Sequence, residues 1–169
     1  MNIIYPRKVN IDNCKLYNNK CENCPFNKEK CDFNKIYKIA NEKDNSELIG
    51  VLNPIELKQY FYQQQIICTE DLNSFCCFHI NIRKRKLTIY HICVQHNFRG
   101  KGYSKLLIDF LYNKYKMPIQ AVCIADSSSN SFWSHISTKI GEKKSRTGKQ
   151  LNIYQYGCDT QESDKINLF

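Results

Sequence analysis

The chain has 169 residues, and 25 Lys+Arg against 16 Asp+Glu give it a formal net charge of +9. Hydrophobic residues at 42% and aromatics at 12% exclude a disordered chain and suit a single domain with a true core. No apolar run reaches the length of a membrane span, and Met1-Asn2-Ile3-Ile4-Tyr5-Pro6-Arg7-Lys8 lacks the charged, apolar and small-residue order of a signal peptide. The expected setting is cytoplasmic. The basic balance suits nucleic acid, an acidic protein surface or a phosphate-bearing ligand as partner.

Residues 1–34 are polar and poor in aliphatic side chains. They carry Cys14, Cys21, Cys24 and Cys31, spaced Cys-x6-Cys-x2-Cys-x6-Cys. Four thiolates around a tight Cys-Glu-Asn-Cys knuckle match a closed, structural tetrahedral Zn²⁺ site. An iron–sulfur cluster is the alternative, since four cysteines with a CxxC pair also hold one. Unligated thiols are a third reading. So polar a segment cannot order itself by burial, and a metal would supply that energy. Two disulfides do not suit a reducing compartment. The other six cysteines, Cys68, Cys76, Cys77, Cys93, Cys123 and Cys158, fall in apolar stretches and read as small buried hydrophobes.

Asn41 to Ser46 reads as a loop. Asn53 followed by Pro54 starts a helix, with Asn as the cap and Pro at the first helical position. That helix runs to Gln64 and turns Ile55, Leu57, Tyr60 and Phe61 inward. Ile66–Thr69 is a strand, and the turn at Asp71–Ser74 leads to a second, Phe75–Ile82. A basic turn, Arg83 to Lys86, joins it to Leu87–Val94 as an antiparallel hairpin. After a polar elbow, Gln95–Phe98, comes Arg99-Gly100-Lys101-Gly102-Tyr103-Ser104 and then a helix with Leu106, Leu107, Phe110 and Leu111 on one face. Met117-Pro118 stops it. Ile119–Ala125 is a near-continuous apolar strand, which predicts a central position. Asp126–Asn130 caps a short helix through Phe132, Trp133 and Ile136, with both aromatics in the core. Gly141–Gln150 reads as a charged loop, Leu151–Tyr156 as the last strand and Thr160–Asn167 as a frayed tail. His79 and His91 read as ordinary strand histidines.

Strand, glycine-rich turn and helix in that order make an anion site. The turn can aim several N–H groups at one place, and the helix start adds partial positive charge. Glycine allows the sharp bend and the close backbone approach. The ligand class is therefore a phosphate or pyrophosphate. The GxxxxGK[ST] of a P-loop and the GxGxxG of a dinucleotide fold are both absent.

Val94, Phe98 and Arg99-Gly100-Lys101-Gly102-Tyr103-Ser104, set between an apolar strand and an amphipathic helix, resemble the acetyl-CoA signature of the GNAT superfamily of N-acyltransferases. Ser104 stands where the family has Gly or Ala. Asn130-Ser131-Phe132-Trp133 is similar to the family's Asn-x-x-aromatic helix. The resemblance spans roughly 48–157 and is specific over 87–136. It implies an α/β (α+β) fold: a mixed, mostly antiparallel central sheet flanked by helices, here preceded by the cysteine-rich segment. The implied domains are 1–34 (cysteine-rich, metal-binding), 35–158 (GNAT-like) and 159–169 (polar tail).

The implied activity is acetyl-CoA-dependent transfer of an acyl group to a primary amine. The acceptor is a protein, a small molecule or a nucleic acid. The resemblance assigns the pyrophosphate to N–H groups of Arg99, Gly100, Lys101, Gly102, Tyr103 and Ser104. It assigns pantetheine to the strand backbone near Ile92 and Val94 and a further contact to Asn130. Strand alternation puts Thr88, Tyr90, Ile92 and Val94 on one face, and His91 and Cys93 on the other. The family's Glu or His on the substrate face is replaced by Thr88 and Tyr90, which leaves Tyr90, Ser134 and His135 as the proton-handling candidates and a water-mediated base as the expected route. The alternative is a zinc-containing protein that binds or modifies nucleic acid on a GNAT-like scaffold.

Overall fold

The computed structural model describes residues 2–6, 32–42 and 52–158. Cys14, Cys21, Cys24 and Cys31, most of the expected loop at 41–46 and the tail from 159 lie outside the described residues.

In chain order the elements are β1 (Ile3–Ile4), α1 (Asp32–Ala40), α2 (Pro54–Tyr62), β2 (Ile66–Thr69), β3 (Ser74–Asn81), β4 (Lys86–Val94), α3 (Tyr103–Tyr115), β5 (Ile119–Ile124), α4 (Ser128–Ile136), β6 (Thr138–Lys144) and β7 (Gln150–Tyr156). The strands form one seven-stranded sheet ordered β1-β2-β3-β4-β5-β7-β6. Pairing is antiparallel for β1/β2, β2/β3, β5/β7 and β6/β7, and parallel for β4/β5. This is the expected mixed, mostly antiparallel sheet with flanking helices.

Two compact units make up the chain, one from Met1–Cys77 and His91–Leu107, the other from Phe78–Tyr90 and Ile108–Phe169. The first has an apolar core built from α1, α2, β2 and β3, in which Phe33, Ile36, Leu57, Phe61, Ile66 and Phe75 are buried. Helix α2 starts as its sequence dictates. Asn53 is extended, its Oδ1 accepts the Glu56 N–H at 2.8 Å, and Pro54 holds the first helical position. Such a cap contributes about 1 kcal/mol. Helix α1, absent from the sequence-based order, begins at Asp32, three residues before the expected domain boundary. Its Asp32, Phe33 and Asn34 are buried.

In the second unit β5 lies between β4 and β7, central as expected. Its burial alternates, however, and Val122 is exposed. The β6/β7 hairpin corrects the loop expected at 141–150, because Gly141–Lys144 belongs to β6. Helix α4 begins with the Ser127 side chain accepting the Asn130 N–H, the cap expected in that segment. Trp133 is buried and Phe132 lies edge-on to it at 5.2 Å, so Phe132 is only partly covered.

Three readings of which side chains face inward need correction. On α3 the fully buried residues are Leu107, Ile108 and Leu111, while Leu106 and Phe110 are half-buried. Ile55, expected inward on α2, is exposed, because it lies on the side of the helix opposite the buried Leu57 and Phe61. Cys158 is exposed, lying just past the last strand; Cys68, Cys76, Cys77, Cys93 and Cys123 are buried as expected. Burial pushes their thiols up, Cys68 to about 12, so they behave as hydrophobes rather than nucleophiles.

The last strand is locked onto α3 within the second unit. Tyr156 donates its hydroxyl hydrogen to Asp109, and its ring meets Tyr112 edge-on at 5.6 Å. Gly157 follows with φ +75°, and a Cβ there would come within 2.2 Å of the Tyr112 ring. Gly157→Ala is therefore expected to destabilise the fold by about 1–3 kcal/mol, from left-handed strain and overpacking together. Thermal denaturation should show a drop of several degrees; an unchanged midpoint would remove this lock.

The hydrogen bond to Asp109, with burial adding to it, pushes Tyr156 up to about 12. A folded pKa above the unfolded value of roughly 10 means the unfolded chain loses this proton first. The contribution is whole below about pH 10 and is lost as pH rises toward 12. Wild type should thus lose stability faster than Tyr156→Phe over that window in urea titrations, and parallel curves would count against the bond.

Candidate functional site

The glycine turn belongs to the first unit and grows out of β4. Ile92 is half-buried and Val94 buried at the strand's end. The Gln95 N–H donates to the Asn73 carbonyl at 2.8 Å, which ties the elbow to the β2–β3 turn. A single 3-10 turn, His96–Phe98, redirects the chain, and the Arg99 guanidinium Nε donates back to the Val94 carbonyl at 3.3 Å. Gly100 and Gly102 then take φ +74° and +83°, and nothing lies within 4 Å of where a Cβ would stand on either. The space above both glycines is open, as a close-approaching ligand requires.

Helix α3 follows at once. Its first ladder bond runs from the Leu106 N–H to the Gly102 carbonyl at 3.0 Å. The N–H groups of Tyr103 and Ser104 thus lie ahead of the ladder, at the positive end of a helix of 13 residues. The Tyr103 side chain is turned inward. Its ring meets Phe98 edge-on at 5.7 Å and its hydroxyl donates to Asp71 Oδ2 at 3.1 Å. What Tyr103 can offer a ligand is its N–H, and its ring anchors the turn. Burial pushes Asp71 up, but hydrogen bonds from Thr69, Asn73 and Tyr103 outweigh it and hold the carboxyl below its usual range. Lys101 is exposed, with its Nζ over the Phe98 ring at 5.0 Å.

In the second unit the parallel ladder pairs Leu87, Thr88 and Ile89 with Ile119, Gln120 and Ala121. The next residue on each strand, Tyr90 and Val122, is 55% and 41% exposed. Tyr90 therefore stands at the surface. Asn130 is a hub: its Oδ1 accepts from Asn152 Nδ2 and the Tyr154 hydroxyl, both at 2.8 Å, and from the Cys123 thiol at 3.8 Å. With the oxygen so engaged, the amide NH₂ is the group Asn130 can offer a ligand. Ser134 and His135 are exposed near the end of α4, and Ser134 donates to the Ser131 carbonyl at 2.9 Å.

One pair escaped the sequence reading. Glu56 on α2 and His91 on β4, both in the first unit, meet with Oε1 3.0 Å from Nε2. His91 is thus a strand histidine whose Nε2 is satisfied by a carboxylate. The two are 35 residues apart, and no local pattern joins them. Among the described residues no group of three or more His, Cys, Asp and Glu could hold a metal ion. No helix among them is long and apolar enough to cross a membrane.

No family model and no curated protein matches the sequence. Solved structures do match the fold. A GNAT-family acetyltransferase from Bacillus cereus aligns with TM-score 0.58 at 16% identity, over 75% of this chain and 90% of that one. An aminoglycoside 6'-acetyltransferase type Ii aligns with TM-score 0.59 at 9% identity, over 74% and 88%. The Escherichia coli ribosomal-protein-S18-alanine N-acetyltransferase aligns with TM-score 0.52 at 10% identity, over 73% and 86%. At such identities the likeness is one of fold, and the fold is that of the GNAT acetyltransferases.

Proposed function

We propose, for a chain with the fold of the GNAT acetyltransferases, that it transfers the acetyl group of acetyl-CoA to a primary amine by direct attack on the thioester. The observation that carries this reading is the turn from Arg99 to Ser104: two left-handed glycines under open space, set against a helix start. A pyrophosphate there would accept N–H bonds from the turn and the first turn of α3, with Lys101 alongside. The resemblance adds pantetheine along Ile92 and Val94 and a contact from Asn130. Tyr90 on β4 is the candidate to protonate the departing thiolate, with Ser134 and His135 as the alternatives on α4.

Two structural neighbours name their acceptors, an aminoglycoside and an alanine of a ribosomal protein. Both supply primary amines, and kanamycin and an alanine-initiated peptide are natural first acceptors to test. Calorimetry on the wild-type protein should show acetyl-CoA binding at micromolar Kd. No heat and no complex by native mass spectrometry at millimolar acetyl-CoA would end this reading.

The four-cysteine motif adds a structural role. Cys14, Cys21, Cys24 and Cys31 would supply an all-thiolate donor set, which suits Zn²⁺ in a closed tetrahedral site, with an iron–sulfur cluster as the alternative. The metal would order the segment and do no chemistry. Elemental analysis of protein purified without oxygen should give one zinc per chain; iron with acid-labile sulfide would replace zinc by a cluster.

A further inference from the structure

Glu56 and His91 have no part in the chemistry above, yet their geometry is specific. Glu56 stands in the first turn of α2, fixed there by the Asn53 cap. Its side chain is 38% exposed, whereas the His91 side chain is 12% exposed and lies edge-on to Tyr60 at 6.0 Å. The pair hides the ring and presents the acid. A carboxylate only accepts, so the hydrogen sits on Nε2. The other ring nitrogen, Nδ1, is buried with no hydrogen-bond partner among the described residues. The bond from Nε2 holds Oε1 of Glu56 in place. Besides Tyr60, Cys77 on β3 interacts electrostatically with Glu56, and Cys93 lies two residues along β4 from His91. Burial raises both thiols, Cys93 to about 12, so neither brings a charge to the site. Glu56 Oε2 has no partner among the described residues.

His91 is one residue from Ile92 and three from Val94, on the strand that feeds the Arg99–Ser104 turn within the same unit. We propose that Glu56 receives the acceptor's ammonium and takes its proton, with His91 as the positioning residue that aims it. This rests on the acyl-transfer reading. The ammonium R–NH₃⁺ passes one proton to the carboxylate, which later releases it to solvent. The free amine attacks the thioester carbonyl, so that an N–C bond forms and the C–S bond breaks. The second proton lost from nitrogen goes to the departing thiolate, giving CoA–SH. The products are an amide, CoA–SH and one proton.

The test uses the full-length protein, acetyl-CoA and n-propylamine at high concentration, with release of the CoA thiol as readout. Glu56→Gln keeps an oxygen for the His91 N–H and removes the charge. It should lower kcat by about 100-fold or more while the acetyl-CoA Kd and the melting midpoint stay near wild type. Its deficit should shrink as pH rises, because an amine that is already free needs no base. His91→Gln should raise KM for the amine and lower kcat by less than Glu56→Gln does. Glu56→Gln turnover at the wild-type level, or pH profiles parallel to wild type, overturns the proposal. So does a wild-type protein that binds acetyl-CoA but shows no amine-dependent thiol release. A wild type that fails to bind acetyl-CoA overturns the transfer reading first, and this one with it.

Discussion

A Gly100→Val/Gly102→Val double variant is expected to lose acetyl-CoA binding, with Kd raised at least about 100-fold. Two effects combine. At φ +74° and +83° a β-branched residue is strained, by about 1–2 kcal/mol at each position, so the turn relaxes away from the geometry that aims its N–H groups. The new side chains also stand in the open space that the phosphates would occupy. Chain neighbours aside, nothing lies within 4 Å of where either Cβ would stand, so the new side chains begin in open space. Gly148, in the β6–β7 hairpin, supplies the control. It too has a positive φ, +81°, and open space around its Cβ. Gly148→Val should therefore show about half the loss in thermal stability of the double variant and no loss of acetyl-CoA binding. If the double variant binds as wild type does in calorimetry, the phosphate site lies elsewhere.

The difference between what could be read early and what could not is physical. The strand, turn and α3 were legible because apolar periodicity, paired glycines and helix order all lie within 29 consecutive residues, Leu87 to Tyr115. The α2 cap was legible for the same reason, as Asn53 and Pro54 act on their immediate neighbours. Strand β6 was not. Its sequence, Thr-Lys-Ile-Gly-Glu-Lys-Lys, is exposed at six of seven positions, since an edge strand needs lysines more than it needs an apolar face. Strand β1 has only two residues and is defined by pairing with Cys68 and Thr69. On α3 the apolar residues at 106, 107, 108, 110 and 111 cover more than one face, and tertiary packing chose Leu107, Ile108 and Leu111. Glu56–His91 is a long-range pair, which only the approach of α2 to β4 within the first unit creates.

Phe61→Ala is expected to cost about 3–5 kcal/mol of stability. Phe61 is 2% exposed and sits in the core of the first unit, edge-on to Phe33 at 5.3 Å. Alanine would leave a cavity between α1 and α2 and remove the aromatic pair, itself worth roughly 0.5–1.5 kcal/mol beyond burial. For a chain of this length that amounts to a fall of roughly 10 °C in the melting midpoint. Tyr62, next in sequence but on the exposed side of α2, is the internal comparison: Tyr62→Ala should stay within about 0.5 kcal/mol. The same cavity loosens the seat of α2 and thus the aim of Glu56, five residues earlier on that helix. Phe61→Ala should accordingly weaken amine-dependent turnover at temperatures where the protein is still folded, while acetyl-CoA affinity, set by the Arg99–Ser104 turn, changes little. Equal melting midpoints for Phe61→Ala and Tyr62→Ala would show that the α1–α2 core is not what holds this unit together.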